Sequence, residues 1–218
     1  MEKHNVFVAG ATGYVGRRLI PALLERGHTV RGLTRPASQE KVPRGCEKVL
    51  GDALLGESFR DRIAPCDTFV QLVGVAHPSP AKAAQFRSID LVSARASVAG
   101  AARARVKHFV YVSVAQPAPV MKAYQRVRAE VEALIRGEDW SATVLRPWYI
   151  LGPGHRWPYA LVPIYWLCER CPVTRPGAKR LGLVTLDQHC RACPSQDENP
   201  PSGIRVVEVP EIRQLAQS

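Results

Sequence analysis

The stretch VFVAGATGYVG, residues 6–16, restricts the folds open to this chain more than any other. A short β-rich run, NVFVAG, leads into Gly10, Gly13 and Gly16, and the glycines lead into YVGRRLIPALLERG, an amphipathic pattern that Gly27 closes as a C-cap. Strand, glycine turn and helix in immediate succession are the signature of a phosphate loop. Gly10 permits the tight turn, Gly13 lets a pyrophosphate approach the backbone, and Gly16 lets helix and strand pack closely. The helix start then offers amide groups and a partial positive charge to an anion.

The rest of the chain repeats the alternation. HTVRGLTR, EKVLGD, CDTFVQLVGV, VKHFVYVSV and SATVLRP read as strands, and the long AAQFRSIDLVSARASVAGAARAR and MKAYQRVRAEVEALIRG read as helices. This order implies an α/β fold, a Rossmann-type doubly wound parallel sheet with right-handed crossovers. After Pro147 the texture turns rich in proline, glycine and aromatics. Residues 1–150 are therefore expected to form the nucleotide-binding domain, and 151–218 a short C-terminal annex of the same compact unit that shapes a cleft. In the annex, LGLVTLDQ and GIRVVEV read as strands, with a polar, turn-rich HCRACPSQDENPPSG between them.

The 218 residues are 46% hydrophobic and 22% charged, a globular composition. No apolar run reaches the roughly 18–20 residues that span a bilayer, and the first residues lack a secretory core, so a cytoplasmic protein is expected. The net charge is +11, which favours anionic partners. The arginines are scattered and no interleaved aromatic motif accompanies them, so no nucleic-acid partner is expected. The charge and the aromatic stretch WPYALVPIYW leave peripheral membrane contact open, but packing of that stretch on the sheet is the expected arrangement.

The motif GATGYVGRRL, Asp52 after the third strand, VYVSV, a tyrosine in the next helix and RPWYILGPG occur in order. Together they resemble the extended and atypical short-chain dehydrogenase/reductase superfamily, near its NmrA-like and complex I accessory-subunit branches. The resemblance covers residues 4 to about 155 and implies NAD(P) binding. The expected cofactor contacts are Gly10, Thr12, Gly13, Tyr14, Val15 and Gly16 of the loop, then Arg35, Asp52, Gly74 and Pro147, with the strand end Gly74 to His77 under the cofactor. The second strand ends in LTRPAS, with no acid to accept ribose hydroxyls. Arg35 there suits a 2′-phosphate, so NADP(H) is expected in preference to NAD(H).

In active members of that superfamily a tyrosine transfers the proton at a carbonyl, a lysine four residues on supports it, and a serine after the fifth strand polarises the carbonyl. Ser113 and Tyr124 fit those positions here; position 128 is Arg128. A phenol of ordinary pKa near 10 needs a cation to act near neutrality. Arg128 supplies positive charge, but as a planar fork rather than a point ammonium. Three readings follow: an NADPH-dependent reductase of a small-molecule carbonyl substrate with Tyr124 as acid, a dinucleotide-binding regulator or accessory protein without turnover, or an ordinary helix surface.

Cys168, Cys171, Cys190 and Cys193 are spaced C-x2-C-x18-C-x2-C, within the range of a structural zinc site. Neither pair sits in a glycine-rich turn, so reduced thiols and no metal are expected. His77, His155 and Arg156 fall on loops at the cleft side and are candidates to meet an anion.

Overall fold

The computed structural model describes residues 3–153, 157–197 and 202–216. Chain order runs β1 (Asn5–Ala9), α1 (Gly16–Glu25), β2 (Thr29–Thr34), β3 (Glu47–Leu50), β4 (Thr68–Gln71), a one-turn α2 (Ala83–Gln85), a π-helical turn (Phe86–Leu91), α3 (Val92–Arg103), β5 (His108–Val112), α4 (Lys122–Arg136) and β6 (Ser141–Arg146). The annex adds β7 (Tyr149–Leu151), α5 (Val162–Arg170), α6 (Arg175–Arg180), β8 (Leu183–Thr185), α7 (Leu186–Asp197), β9 (Ile204–Glu208) and α8 (Val209–Leu215).

The main sheet has the order β3-β2-β1-β4-β5-β6-β9 and every pairing in it is parallel. The first six strands form the doubly wound order whose crevice lies between β1 and β4, where the winding reverses. The annex strand β9 pairs with β6, from Ala142↔Ile204 to Arg146↔Glu208, and so joins the sheet as its seventh strand. Strands buried on both faces need apolar residues on both. One face carries the in-register row Phe7, Phe69 and Phe109, with ring centroids 5.2 and 5.3 Å apart, continued by Trp140 at 4.8 Å. The other carries Val6, Val8, Val70, Val110 and Leu145 under α1 and α7.

Two annex segments differ from the sequence reading. HCRACPSQDENPPSG does not begin as a turn: its first half lies in α7. Thr185 and Gln188 form a reciprocal cap, with the Gln188 amide donating to Thr185 Oγ1 at 3.1 Å and the Thr185 amide to Gln188 Oε1 at 2.8 Å. Cys190, Ala192 and Cys193 bury one side of the helix. The stretch containing α5 does not cover the sheet with its apolar residues either; Ile164, Trp166 and Leu167 are exposed.

Candidate dinucleotide and carbonyl site

The loop after β1 takes the shape its glycines permit. Gly10 has φ +93°, a conformation that L side chains rarely adopt. A Cβ at Gly16 would collide with the Gly10 carbonyl oxygen, so the helix can start this close to the strand only as glycine. Val15 caps α1 without a side-chain hydrogen bond, so no side chain competes with an anion at the helix start.

Two cavities of about 450 and 370 Å³ share walls at Gly10, Gly13, Leu72, Gly74, Val75 and Ala76, and so form one groove across the carboxyl edge of the sheet. Thr12, Arg35 and Asp52 line one end. Arg35 is exposed there, and Asp52 Oδ1 accepts from the Leu54 amide at 2.9 Å. Tyr14, Val15, Gly16, His77, Ser113, Tyr124, Arg128 and Pro147 line the other. The groove and the glycine cradle fit a dinucleotide laid with its pyrophosphate at α1.

At the second end the decisive group is Arg128, a buried side chain on α4. Its Nη2 donates to Asp90 Oδ1 at 2.6 Å and to the Tyr124 hydroxyl at 2.8 Å. Its Nη1 donates to the Tyr111 hydroxyl at 2.9 Å and to the Val112 carbonyl at 3.0 Å. The guanidinium carbon also lies 4.7 Å from the Tyr124 ring centre. Burial works against the charge, but Tyr111, Tyr124 and Asp90 outweigh it and Arg128 stays cationic. Burial pushes the Tyr124 phenol above its ordinary value, and Arg128 only partly counters this. The phenol is therefore protonated at neutral pH. Because its oxygen accepts from Arg128, its own O–H is left to donate.

Asp90 sits in the π-helical turn, which aims its carboxylate inward. Oδ2 accepts from the Val75 amide at 3.0 Å, tying the network to the strand end that floors the groove. Gly74 makes room for it: a Cβ there would stand 2.7 Å from Arg128 Nη2 and 3.0 Å from Asp90 Oδ1. The Ser113 hydroxyl has another partner. It donates to Glu132 Oε1 at 2.6 Å, and the same carboxylate accepts from Gln116, Arg136 and Arg146. Burial opposes charge on Glu132, yet Arg146 and Ser113 hold its carboxyl below the ordinary range.

Asp90, Tyr111 and Glu132 join these networks from outside the motif positions. A signal existed for Asp90. It stands four residues after Phe86 and four before Ala94, on the apolar stripe of its helix, where a carboxylate needs a partner. His155 and Arg156 lie outside the described residues. His77 lines the groove with φ +50°. Cys190 and Cys193 are buried on α7, whereas Cys171 is exposed beyond the end of α5. Among the described residues no group of three or more His, Cys, Asp or Glu side chains is placed to hold a metal.

Residues 10–157 match the model of the NAD(P)H-binding family. The chain belongs to that family. It is an atypical member of the short-chain dehydrogenase/reductase superfamily, and its relatives include reductases. It is 32% identical over 172 residues to a ceramide reductase of Caulobacter vibrioides, covering 77% of this chain and 52% of that one. It is 28% identical over 170 residues to the 4-hydroxy-2-methyl-3-oxo-4-farnesyl-3,4-dihydroquinoline-1-oxide ketoreductase of Stigmatella aurantiaca, covering 68% of this chain and 51% of that one. The chain thus spans about half the length of these curated relatives. In fold it resembles the Bordetella bronchiseptica enzyme WbmH, solved with NAD+, at TM-score 0.71 and 18% identity over 98% of this chain and 79% of that one. Among the described residues no helix is long and apolar enough to cross a membrane.

Proposed function

We propose that this NAD(P)H-binding protein reduces the carbonyl of a lipophilic small molecule, with Tyr124 as proton donor and Arg128 as the cation behind it. The observation that carries the reading is the Tyr124 hydroxyl held at 2.8 Å by a buried arginine, in the wall of the groove that begins at the glycine loop. When bound, the nicotinamide cofactor supplies the hydride. Tyr124 gives its proton to the carbonyl oxygen, and the phenolate left behind faces the Arg128 charge until solvent reprotonates it. Ser113 helps to polarise the oxygen after turning from Glu132. Val75, Pro78, Val114, Trp148 and Ile150 line this end of the groove and suit an apolar substrate. The names of the two relatives, a ceramide reductase and a ketoreductase named for a farnesyl-bearing quinoline oxide, support that substrate class.

NADPH is the preferred cofactor in this reading, NADH the second. Arg35 at the groove end, with no acid at the close of β2, supports the preference. Residues 1–150 carry the cofactor, and 151–218 act as an annex that completes the sheet through β9. The test is ketone-dependent NADPH oxidation by the native protein and by Tyr124→Phe. Loss of turnover by about 10²–10⁴-fold with unchanged NADPH affinity is expected; equal turnover would reject Tyr124 as the acid. One observation favours a second reading, a dinucleotide-binding regulator: Ser113 commits its hydroxyl to Glu132 and not to the groove. NADPH binding without turnover on any carbonyl in a broad lipophilic panel is the outcome that reading predicts.

A further inference from the structure

Helix α5 is amphipathic in the wrong sense for a surface helix. At about 100° per residue, Leu161, Tyr165, Cys168 and Glu169 fall on one side, and these are the half-buried ones. The inner side is anchored: Glu169 pairs with Arg213 at 3.0 Å, and Tyr165 stands beside Trp148. The opposite arc carries Val162, Pro163, Ile164, Trp166 and Leu167, all exposed. Ile164, Trp166 and Leu167 are 57%, 59% and 64% exposed, and no residue of the helix is buried. A soluble surface normally reverses this pattern, and a contiguous apolar face of this kind marks a docking site.

The charges around the face select its occupant. Between residues 157 and 180 the sequence has Arg170, Arg175, Lys179 and Arg180 against a single acid, Glu169, which is turned inward to Arg213. Arg170 falls on the same exposed arc and stacks its guanidinium 3.3 Å from the Trp166 ring centre. An apolar strip with tryptophan, bordered by cations and free of outward acids, is complementary to the headgroup and acyl boundary of an anionic lipid layer. A second copy of the chain is a poorer match. A two-fold contact would set Arg170, Arg175 and Lys179 against their own counterparts with no acid to meet them.

We infer that α5 docks this protein on the surface of an anionic lipid bilayer. The helix lies in the interface plane, with Ile164, Trp166 and Leu167 inserted and Arg170, Arg175 and Lys179 at the phosphates. Docking brings the groove close to the lipid, because Trp148 and Tyr149 line the groove and Tyr165 of α5 stands beside Trp148. The inference does not depend on the proposed reduction. It is tested on the full chain without substrate.

The experiment is cosedimentation of the purified protein with vesicles of phosphatidylcholine alone or mixed with phosphatidylglycerol. Binding to the mixed vesicles that weakens at high salt is expected. Ile164→Glu combined with Leu167→Glu should lower the partition coefficient by more than about tenfold. Arg170→Glu should lower it by about fivefold or more. All three positions are exposed, and an unchanged circular-dichroism spectrum confirms that the variants fold. No binding to the mixed vesicles would overturn the inference, as would equal binding by the Ile164/Leu167 variant. A dimer seen by sedimentation velocity that the same variant dissociates, in protein that ignores vesicles, would assign the face to a second copy.

Discussion

At the phosphate end of the groove, Gly10, Gly13 and Gly16 work by having no side chains. What they offer is backbone: a left-handed turn, a close approach and a helix start. Beside the loop, Tyr124 and Arg128 make the groove wall with side chains, backed by Asp90 and Tyr111. Arg128, Asp90, Tyr111 and Tyr124 come from α4, the π-helical turn and β5, and each matters through what it touches. The first end relies on local geometry encoded in eleven consecutive residues. The second relies on a buried ion pair whose members are 38 positions apart in sequence. Disturbing the loop should therefore harm binding and spare most of the fold, whereas disturbing the ion pair should harm the fold as well as the chemistry.

The strongest way to break this contrast is Asp90→Ala. Leaving Arg128 buried without its counter-ion should cost about 3–5 kcal/mol of stability, read from urea unfolding. A loss under 1 kcal/mol would mean that Tyr111 and Tyr124 alone hold the charge. Next is Gly16→Ala, whose added methyl meets the backbone of Gly10 and Ala11. It should cost about 1–3 kcal/mol in strain and weaken NADPH binding by more than about tenfold. Unchanged affinity would show that the cofactor does not use this turn. Arg35→Ala should weaken NADPH binding by about tenfold and leave NADH binding alone, as measured by quenching of tryptophan fluorescence. Equal losses for both cofactors would remove the 2′-phosphate assignment.

The smallest effect concerns pH. The Glu132 carboxyl is held below its ordinary value in the folded state, so the unfolded chain takes up its proton first. Stability from this group is present above about pH 4.3, the unfolded value, and is lost as pH falls through the lower folded one. Glu132→Gln should flatten the acid limb of a stability profile. An unchanged limb would place the acid sensitivity elsewhere, with His189 the first candidate. That buried imidazole is pushed down to about 4 by burial, so its contribution fades from about pH 6.5 toward 4.

Much of this was legible in the chain. The alternation of β-rich and helical runs gave the sheet, and the glycines gave the loop, because both are encoded by neighbours in sequence. Tyr124 and Arg128 were legible as a pair one helical turn apart. Three features were not read. The cap of α7 lay in TLDQ, a threonine followed three residues later by glutamine, but the polar residues after it masked the helix. The outward apolar face of α5 was read as core, since composition reports how much apolar surface a segment has and not which way it points. The commitment of Ser113 to Glu132 depended on α4 lying against β5, which no local pattern states.

By itself, then, the sequence determined a doubly wound nucleotide-binding sheet and the end of the groove where a pyrophosphate fits, because strand and helix periods and glycine conformations act over a few residues. Only the tertiary structure decided what Arg128 is bound to, how far Asp90 is buried, and which side of α5 meets solvent. Those depend on long-range packing, where the low-dielectric interior makes each unpaired charge costly and so forces distant residues into contact.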